Sequence, residues 1–173
     1  VDILPYNEFR VFVHNKQITA ISQQHLHNVY PILDDTSHIK RKCKIICDYF
    51  ESKIKDSITH MDSYVYDFAC IGESEEEPFF IEPSTFGKEY AAGSALFHWI
   101  IDYDILYGNK LKYGSINIIP FRYTIHDEDR DKLTIKCEVG PSYNHVFHHG
   151  FWPPCACCAL ERILSHPIEF EKC

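Results

Sequence analysis

Residues 64–82 read YVYDFACIGESEEEPFFIE, two apolar segments on either side of an acidic turn. This pattern predicts a β-hairpin in which the two segments pair as antiparallel strands. If Ile71 faces Pro78 across the turn, Asp67 faces Glu82. Facing residues share one face of a sheet, with their side chains about 5 Å apart. The glutamates between the two strands are expected to form a solvated turn.

Two carboxylates placed side by side repel each other, so something must compensate their charge. The candidates are a divalent cation, an arginine or a shared proton. A slipped register, with both acids in solvent at a sheet edge, is the alternative, because a six-residue turn fixes the register loosely. A cation site formed by Asp67 and Glu82 is the first hypothesis that the sequence suggests.

A second hairpin is predicted upstream, where residues 8–24 read EFRVFVHNKQITAISQQ. Asn15 and Lys16 suit its two-residue turn. Regular alternation along the second strand would place Ile18, Ala20 and Ser22 on one face of the sheet.

Between the hairpins, apolar residues recur at three- and four-residue steps. This spacing predicts an amphipathic helix over about residues 38–59, with Ser37 as its N-cap. Residues 92–106 are expected to form a loop and then a buried, aromatic-rich helix that ends near Gly108.

Further strands are predicted over 115–125 and 132–139, and a short helix is expected over about 156–165. Together these elements predict an α+β fold, in which helices pack against an antiparallel sheet.

The composition is that of one globular domain, with 173 residues of which 45% are hydrophobic and 24% charged. A net charge of −8 argues against nucleic acid or an anionic membrane as the main partner. The eight cysteines lack the spacing of a secreted disulfide framework, so we expect reduced thiols and a cytoplasmic location. Strand-like sequence follows Val1 almost at once, which suggests a fragment of a longer protein.

The C-terminal tail offers a weaker candidate site for zinc, which needs four converging ligands. A Cys-x2-Cys pair is present, but a second pair at the usual spacing is not evident, so reduced cysteines are favoured over a zinc site. The candidate ligands are Cys155, Cys157, Cys158, His145, His148 and His149.

Arg10 lies in the middle of an otherwise apolar strand. One interpretation is a surface arginine whose stem covers the sheet. On the same face as Asp67 and Glu82, however, it would suit the phosphates of a nucleotide, with the acids holding the metal. Ser84 stands two residues beyond Glu82 and would add a hydroxyl oxygen to the same cation.

Four segments, in this order and spacing, resemble the ATP-grasp superfamily and within it the cell division cycle 123 family, also called D123. They are EFRVFVHNKQITAISQQ, YVYDFACI, FFIEPSTFG and GSALFHW, and the resemblance covers about residues 4–106. It implies an ATP-grasp-like C-terminal subdomain over residues 1–110, incomplete at its N-terminus, with ATP and Mg²⁺ as cofactors. Residues 111–173 would then be C-terminal strands and a Cys/His-rich tail.

The resemblance also implies roles for single residues. Arg10 is similar to the family's phosphate-contacting arginine and is the candidate catalytic residue. Asp67 and Glu82 are similar to its magnesium ligands. Ser84 stands where the family usually has asparagine, and a hydroxyl is a weaker ligand than an amide oxygen. The hinge strand whose backbone faces adenine corresponds to Asp2, Ile3 and Leu4.

Two functions follow from the resemblance. Proteins of the cell division cycle 123 family are understood as assembly chaperones for the gamma subunit of eukaryotic translation initiation factor 2. The alternative is an ATP-grasp ligase, which phosphorylates a carboxylate so that an amine can form an amide. Ser84 weakens the metal pair and no acceptor pocket is recognisable, so the binding module is favoured over the ligase. A divergent relative that no longer binds nucleotide is the third interpretation.

Overall fold

In the computed structural model, the described residues are 2–90, 93, 95–109, 112–113, 116–124 and 163–170. Their strands are β1 (Glu8–His14), β2 (Gln17–Gln23), β3 (Tyr64–Ile71), β4 (Glu77–Thr85), β5 (Lys112–Tyr113), β6 (Ile116–Thr124) and β7 (Ile163–Phe170). They form one seven-stranded sheet in the order β4-β3-β1-β2-β6-β5, with β7 also paired to β6. Every pairing is antiparallel except the parallel contact between β2 and β6. The predicted α+β class is confirmed.

The first hairpin is confirmed, with one change of register. Asn15 and Lys16 have φ angles of 50° and 58°, as the turn between two twisted strands requires. A β-bulge at Thr19 then shifts the pairing of β2 by one residue. Ile18 therefore packs on one face of the sheet and Ala20 on the other, so the prediction that they share a face is wrong.

The predicted amphipathic helix is present but shorter than expected. It comprises α1 (Thr36–Tyr49), followed by a π-helical segment over Phe50–Ile54. The N-cap is Asp35 rather than Ser37, because the Asp35 carboxylate accepts a hydrogen bond of 2.8 Å from the Ser37 backbone N–H. The apolar side of the helix covers one face of the sheet. We call this cluster the helix-side core: Phe9, Val11, Val13, Ile18, Ile21, Ile39, Cys43, Ile46, Phe50, Tyr66, Phe68 and Phe121.

The opposite face of the sheet is covered by turns rather than by the predicted long helix. Within 92–106, only α2 (Tyr103–Leu106) is helical among the residues described, although the chain does turn at Gly108, whose φ is 75°. Side chains bind the backbone upstream of α2: the Asp102 carboxylate accepts from the His98 N–H at 2.8 Å. We call this cluster the opposite core: Phe12, Ala20, Val65, Phe86, Phe97, Trp99, Ile105 and Leu106.

Towards the C-terminus, β6 confirms the strand predicted over 115–125. The helix expected over 156–165 is wrong at its end, because β7 begins at Ile163. The strand predicted over 132–139, the rest of that helix and all six candidate zinc ligands lie outside the described residues. Among the residues that are described, we find no helix with the length and apolarity of a membrane span.

Three described cysteines, Cys43, Cys47 and Cys70, are free thiols. Burial raises the pKa of Cys47 to about 12 and that of Cys70 to about 11. The folded protein therefore keeps protons that the unfolded chain releases, and its stability should decline as the pH rises from about 9 to 12. Each thiol contributes a slope of up to about 1.4 kcal/mol per pH unit. Unfolding in urea across this range should show a shallower decline for Cys47→Ala; an equal slope would contradict the assignment.

Candidate functional site

A row of polar residues crosses the sheet on the face of the opposite core. From β4 through β3, β1 and β2 to β6, neighbouring strands place these residues side by side: Glu82, Asp67, Arg10, Ser22 and Arg122. The row joins Arg10, Asp67 and Glu82, which the sequence had suggested as one site, to two residues that it had not.

The facing pair of Asp67 and Glu82 is confirmed, although the register at the turn differs from the prediction. Ile71 pairs with Glu77, one residue earlier than expected. A β-bulge just before Glu82 then shifts the pairing by one residue. The two differences cancel, so both carboxylates still lie opposite each other.

The negative charge of Asp67 could be compensated by a divalent cation, an arginine or a shared proton. The described residues show the arginine, which is Arg10. Arg10 donates to both Asp67 oxygens, from Nε to Oδ1 at 2.8 Å and from Nη2 to Oδ2 at 2.8 Å. Only 14% of the Arg10 side chain and 6% of the Asp67 side chain are exposed. Arg10 Nη1 also donates to the Gly93 carbonyl at 2.9 Å. Three of the five N–H groups of the guanidinium are therefore engaged within the chain.

Gln24 also belongs to this site, although no sequence motif indicated it. Its Nε2 donates to Asp67 Oδ2 at 3.2 Å, and its Oε1 is buried without a hydrogen-bond partner among the described residues. The only signal in the sequence was its place directly after β2. A buried acceptor without a donor is costly, so this oxygen suits a cation or a ligand donor.

The oxygen atoms around Asp67 fit a hard cation such as Mg²⁺. Glu82 is exposed and Ser84 partly exposed, two residues apart on β4. No set of three or more His, Cys, Asp and Glu side chains converges in the described part of the chain. A cation here would therefore be held by Asp67 and Glu82, with neutral oxygens from Ser84 and Gln24. These metal roles stay predictions.

The predicted hinge residues, Asp2, Ile3 and Leu4, do not form a strand. They precede a 3-10 turn over Pro5–Asn7, in which the Asn7 N–H donates to the Leu4 carbonyl at 2.8 Å. The prediction of a strand here is wrong, because Pro5 starts a tight turn directly before β1. The contact of this backbone with adenine stays a prediction.

The acidic turn between β3 and β4 is only partly solvated, because Glu75 is anchored. Its carboxylate accepts hydrogen bonds of 2.8 Å from Asn7 Nδ2 and from Tyr6 Oη. Lys42, whose side chain is buried, donates Nζ to the Glu75 carbonyl. The hydrogen bond from Asn7, followed by the one from Tyr6, lowers the pKa of Glu75. Glu75 also adopts a left-handed φ of 55°. Because its carboxylate is bound within the chain, the prediction of a solvated turn is wrong at this residue.

A buried ion pair lies at the other end of the row, and no sequence motif indicated it. Arg122 donates from Nη1 to Asp102 Oδ2 and from Nη2 to Asp102 Oδ1, both at 2.6 Å. The two side chains are 1% and 0% exposed. The guanidinium also donates to the Leu96 carbonyl at 3.1 Å and lies 4.2 Å from the centre of the Phe97 ring. This pair holds the turn before α2 against the sheet.

The arrangement can be compared with solved structures. Cdc123 from Schizosaccharomyces pombe is similar at 23% identity, over 60% of this chain and 37% of that chain, with a TM-score of 0.49. The C-terminally truncated form of Cdc123 from the same organism is similar at 22% identity, over 65% of this chain and 40% of that chain, with a TM-score of 0.51. The second comparison supports a shared fold. The chain spans about two fifths of the length of these solved proteins.

No curated protein matches the chain. The sequence model of the D123 family, in contrast, matches residues 1–130. This match extends past residue 106, where the resemblance in the sequence had been expected to end, and it includes β6 and Arg122. Because the match covers well over half of the 173 residues, the chain belongs to the D123 family.

Proposed function

We propose that this chain is the metal-bearing part of an ATP-grasp domain that binds ATP with Mg²⁺. In this proposal the domain serves an assembly chaperone for the gamma subunit of eukaryotic translation initiation factor 2. The observation that carries the proposal is the row of Glu82, Asp67 and Arg10 on neighbouring strands in a member of the D123 family.

The residues of the row supply complementary chemistry. Asp67 and Glu82 offer carboxylate oxygens to the cation, and Ser84 adds a hydroxyl. Arg10 has two further N–H groups with which to orient a phosphate oxygen. Mg²⁺ supplies neutralisation of the phosphate charge when it is bound. Binding thus needs the carboxylates and the guanidinium on one face of the sheet.

Removing both carboxylates should strongly weaken binding of the metal–nucleotide complex. In the full-length protein, Asp67→Asn combined with Glu82→Gln is expected to weaken ATP affinity in Mg²⁺ by about 100-fold or more, since even residues that merely support metal ligands contribute 10- to 100-fold. Calorimetric titration with ATP, in Mg²⁺ and in EDTA, measures this loss. The matched control is Asp48→Asn with Glu51→Gln on the exposed side of the helical segment. Unchanged ATP affinity in the double variant would contradict the proposed metal site.

A second experiment separates the chaperone from the ligase. The ligase is the second candidate. The Arg10 guanidinium and a metal held by Asp67 and Glu82 would also suit the transfer of a phosphoryl group. A stable complex with the initiation-factor subunit, without turnover of ATP, supports the chaperone. Release of ADP and phosphate on adding carboxylate and amine substrates would support the ligase instead.

A further inference from the structure

We propose that Arg10 and a divalent cation are alternative partners of Asp67. Arg10 neutralises Asp67 in the cation-free protein and turns towards the phosphate when a cation is held between Asp67 and Glu82. The second half of the inference, that Arg10 turns towards a phosphate, rests on the proposed nucleotide function. The exchange itself concerns only the protein and the metal.

The hydrogen bonds of Asp67 set up the competition. Within the described part of the chain, its two oxygens accept three hydrogen bonds, two from Arg10 and one from Gln24. A carboxylate has about four lone-pair sites, so one site is left for a cation. Arg10 lies on β1, on one side of Asp67, and Glu82 lies on β4, on the other side. A cation shared with Glu82 therefore meets an Asp67 carboxylate that is largely occupied by Arg10.

The charges give the exchange its direction. Arg10, Asp67 and Glu82 together carry a formal charge of −1. A bare dication brings this sum to +1, and the guanidinium repels it at short range. When the dication arrives with a polyphosphate, the guanidinium attracts the phosphate and so favours binding of the complex. Arg10 thus opposes the metal alone and supports the metal with nucleotide.

The surroundings of Arg10 allow it to exchange partners. Its side chain is 14% exposed and its Nη1 already bonds to a carbonyl, that of Gly93, at the protein surface. Gln24 would keep one hydrogen bond to Asp67 when Arg10 leaves. The buried Gln24 Oε1, which has no partner among the described residues, would gain one in a cation or in a water bound to it.

Titration with Mn²⁺ alone tests the exchange, because Mn²⁺ prefers the same oxygen ligands and its free concentration is read by electron paramagnetic resonance. In the intact protein, Arg10→Gln is expected to bind Mn²⁺ at least about tenfold more tightly than wild type. The substitution removes a nearby like charge and the two hydrogen bonds with which Arg10 occupies Asp67. The same variant should bind ATP at saturating Mn²⁺ at least about tenfold more weakly. Arg41→Gln, which removes an exposed arginine from α1, is the control and should change neither affinity.

The exchange predicts that Arg10→Gln raises the affinity for Mn²⁺ and lowers the affinity for ATP. A loss of structure would lower both affinities. Equal or weaker Mn²⁺ binding by Arg10→Gln overturns the proposal. If circular dichroism shows that this variant is unfolded, Arg10→Lys decides: the lysine keeps the charge but loses the bidentate contact. Tighter Mn²⁺ binding by Arg10→Lys supports the exchange, and unchanged binding overturns it. Wild-type protein that binds no ATP in Mn²⁺ refutes the nucleotide function, while the comparison in Mn²⁺ alone still decides the exchange.

Discussion

Replacing Asp102 by asparagine is expected to lower the free energy of unfolding by about 3–5 kcal/mol, because the substitution removes the charge from the carboxylate that a buried guanidinium binds. Arg122 is 1% exposed and has both Nη atoms on the Asp102 carboxylate. Asparagine keeps the volume of the side chain and one acceptor oxygen, but it removes the charge. Urea unfolding followed by circular dichroism measures the loss.

The control for this variant is Asp48→Asn. Asp48 accepts a salt bridge of 2.8 Å from Lys44, and both side chains are more than half exposed. Because exposed pairs contribute little, its loss should stay below about 1 kcal/mol. Equal losses for Asp102→Asn and Asp48→Asn would contradict the importance of the buried pair.

Truncating Phe12 to alanine is expected to lower the free energy of unfolding by about 3–5 kcal/mol. Phe12 is fully buried at the centre of the opposite core, with its ring centre 5.4 Å from that of Phe97 and 5.7 Å from that of Trp99. Alanine loses the transfer free energy of the ring and leaves a cavity beneath the turns that pack on the opposite core. Denaturant unfolding of the variant measures the effect.

Ile100→Ala is the matched control for Phe12→Ala. It removes a large apolar side chain from the same region, but one that is 66% exposed. Its effect should remain within about 0.5 kcal/mol, as for most surface substitutions. A Phe12→Ala variant as stable as the wild type would show that the opposite core does not hold these turns to the sheet.

Much of the hairpin structure was predictable because its signals are local. Alternation along β1, the Asn15–Lys16 turn and the apolar segments around Asp67 each involve neighbouring residues. Asp67 and Glu82 can be paired from the sequence, since only one turn separates them. The prediction survived a register error at Ile71 only because the β-bulge in β4 reversed it.

The errors arose where distant side chains override local preference. Regular alternation could not anticipate the bulge at Thr19, which sends Ile18 and Ala20 to opposite cores. Residues 95–102 have the composition of a buried helix, yet Asp102 binds the backbone of His98 and the side chain of Arg122 instead. Such contacts satisfy the polar groups of the turn better than helix formation would.

The sequence by itself determined the two hairpins, β6, the amphipathic helix, the membership of a recognisable family and the pairing of Asp67 with Glu82. These features rest on periodicity and short turns, which act within a few residues. Only the tertiary structure decided that Arg10 neutralises Asp67 and that the Arg122–Asp102 pair holds the turns to the sheet. Arg10 lies 57 residues from Asp67, and Arg122 lies 20 residues from Asp102. Charges separated so far along the chain meet only when the strands have been ordered in the sheet, so no local pattern reveals them.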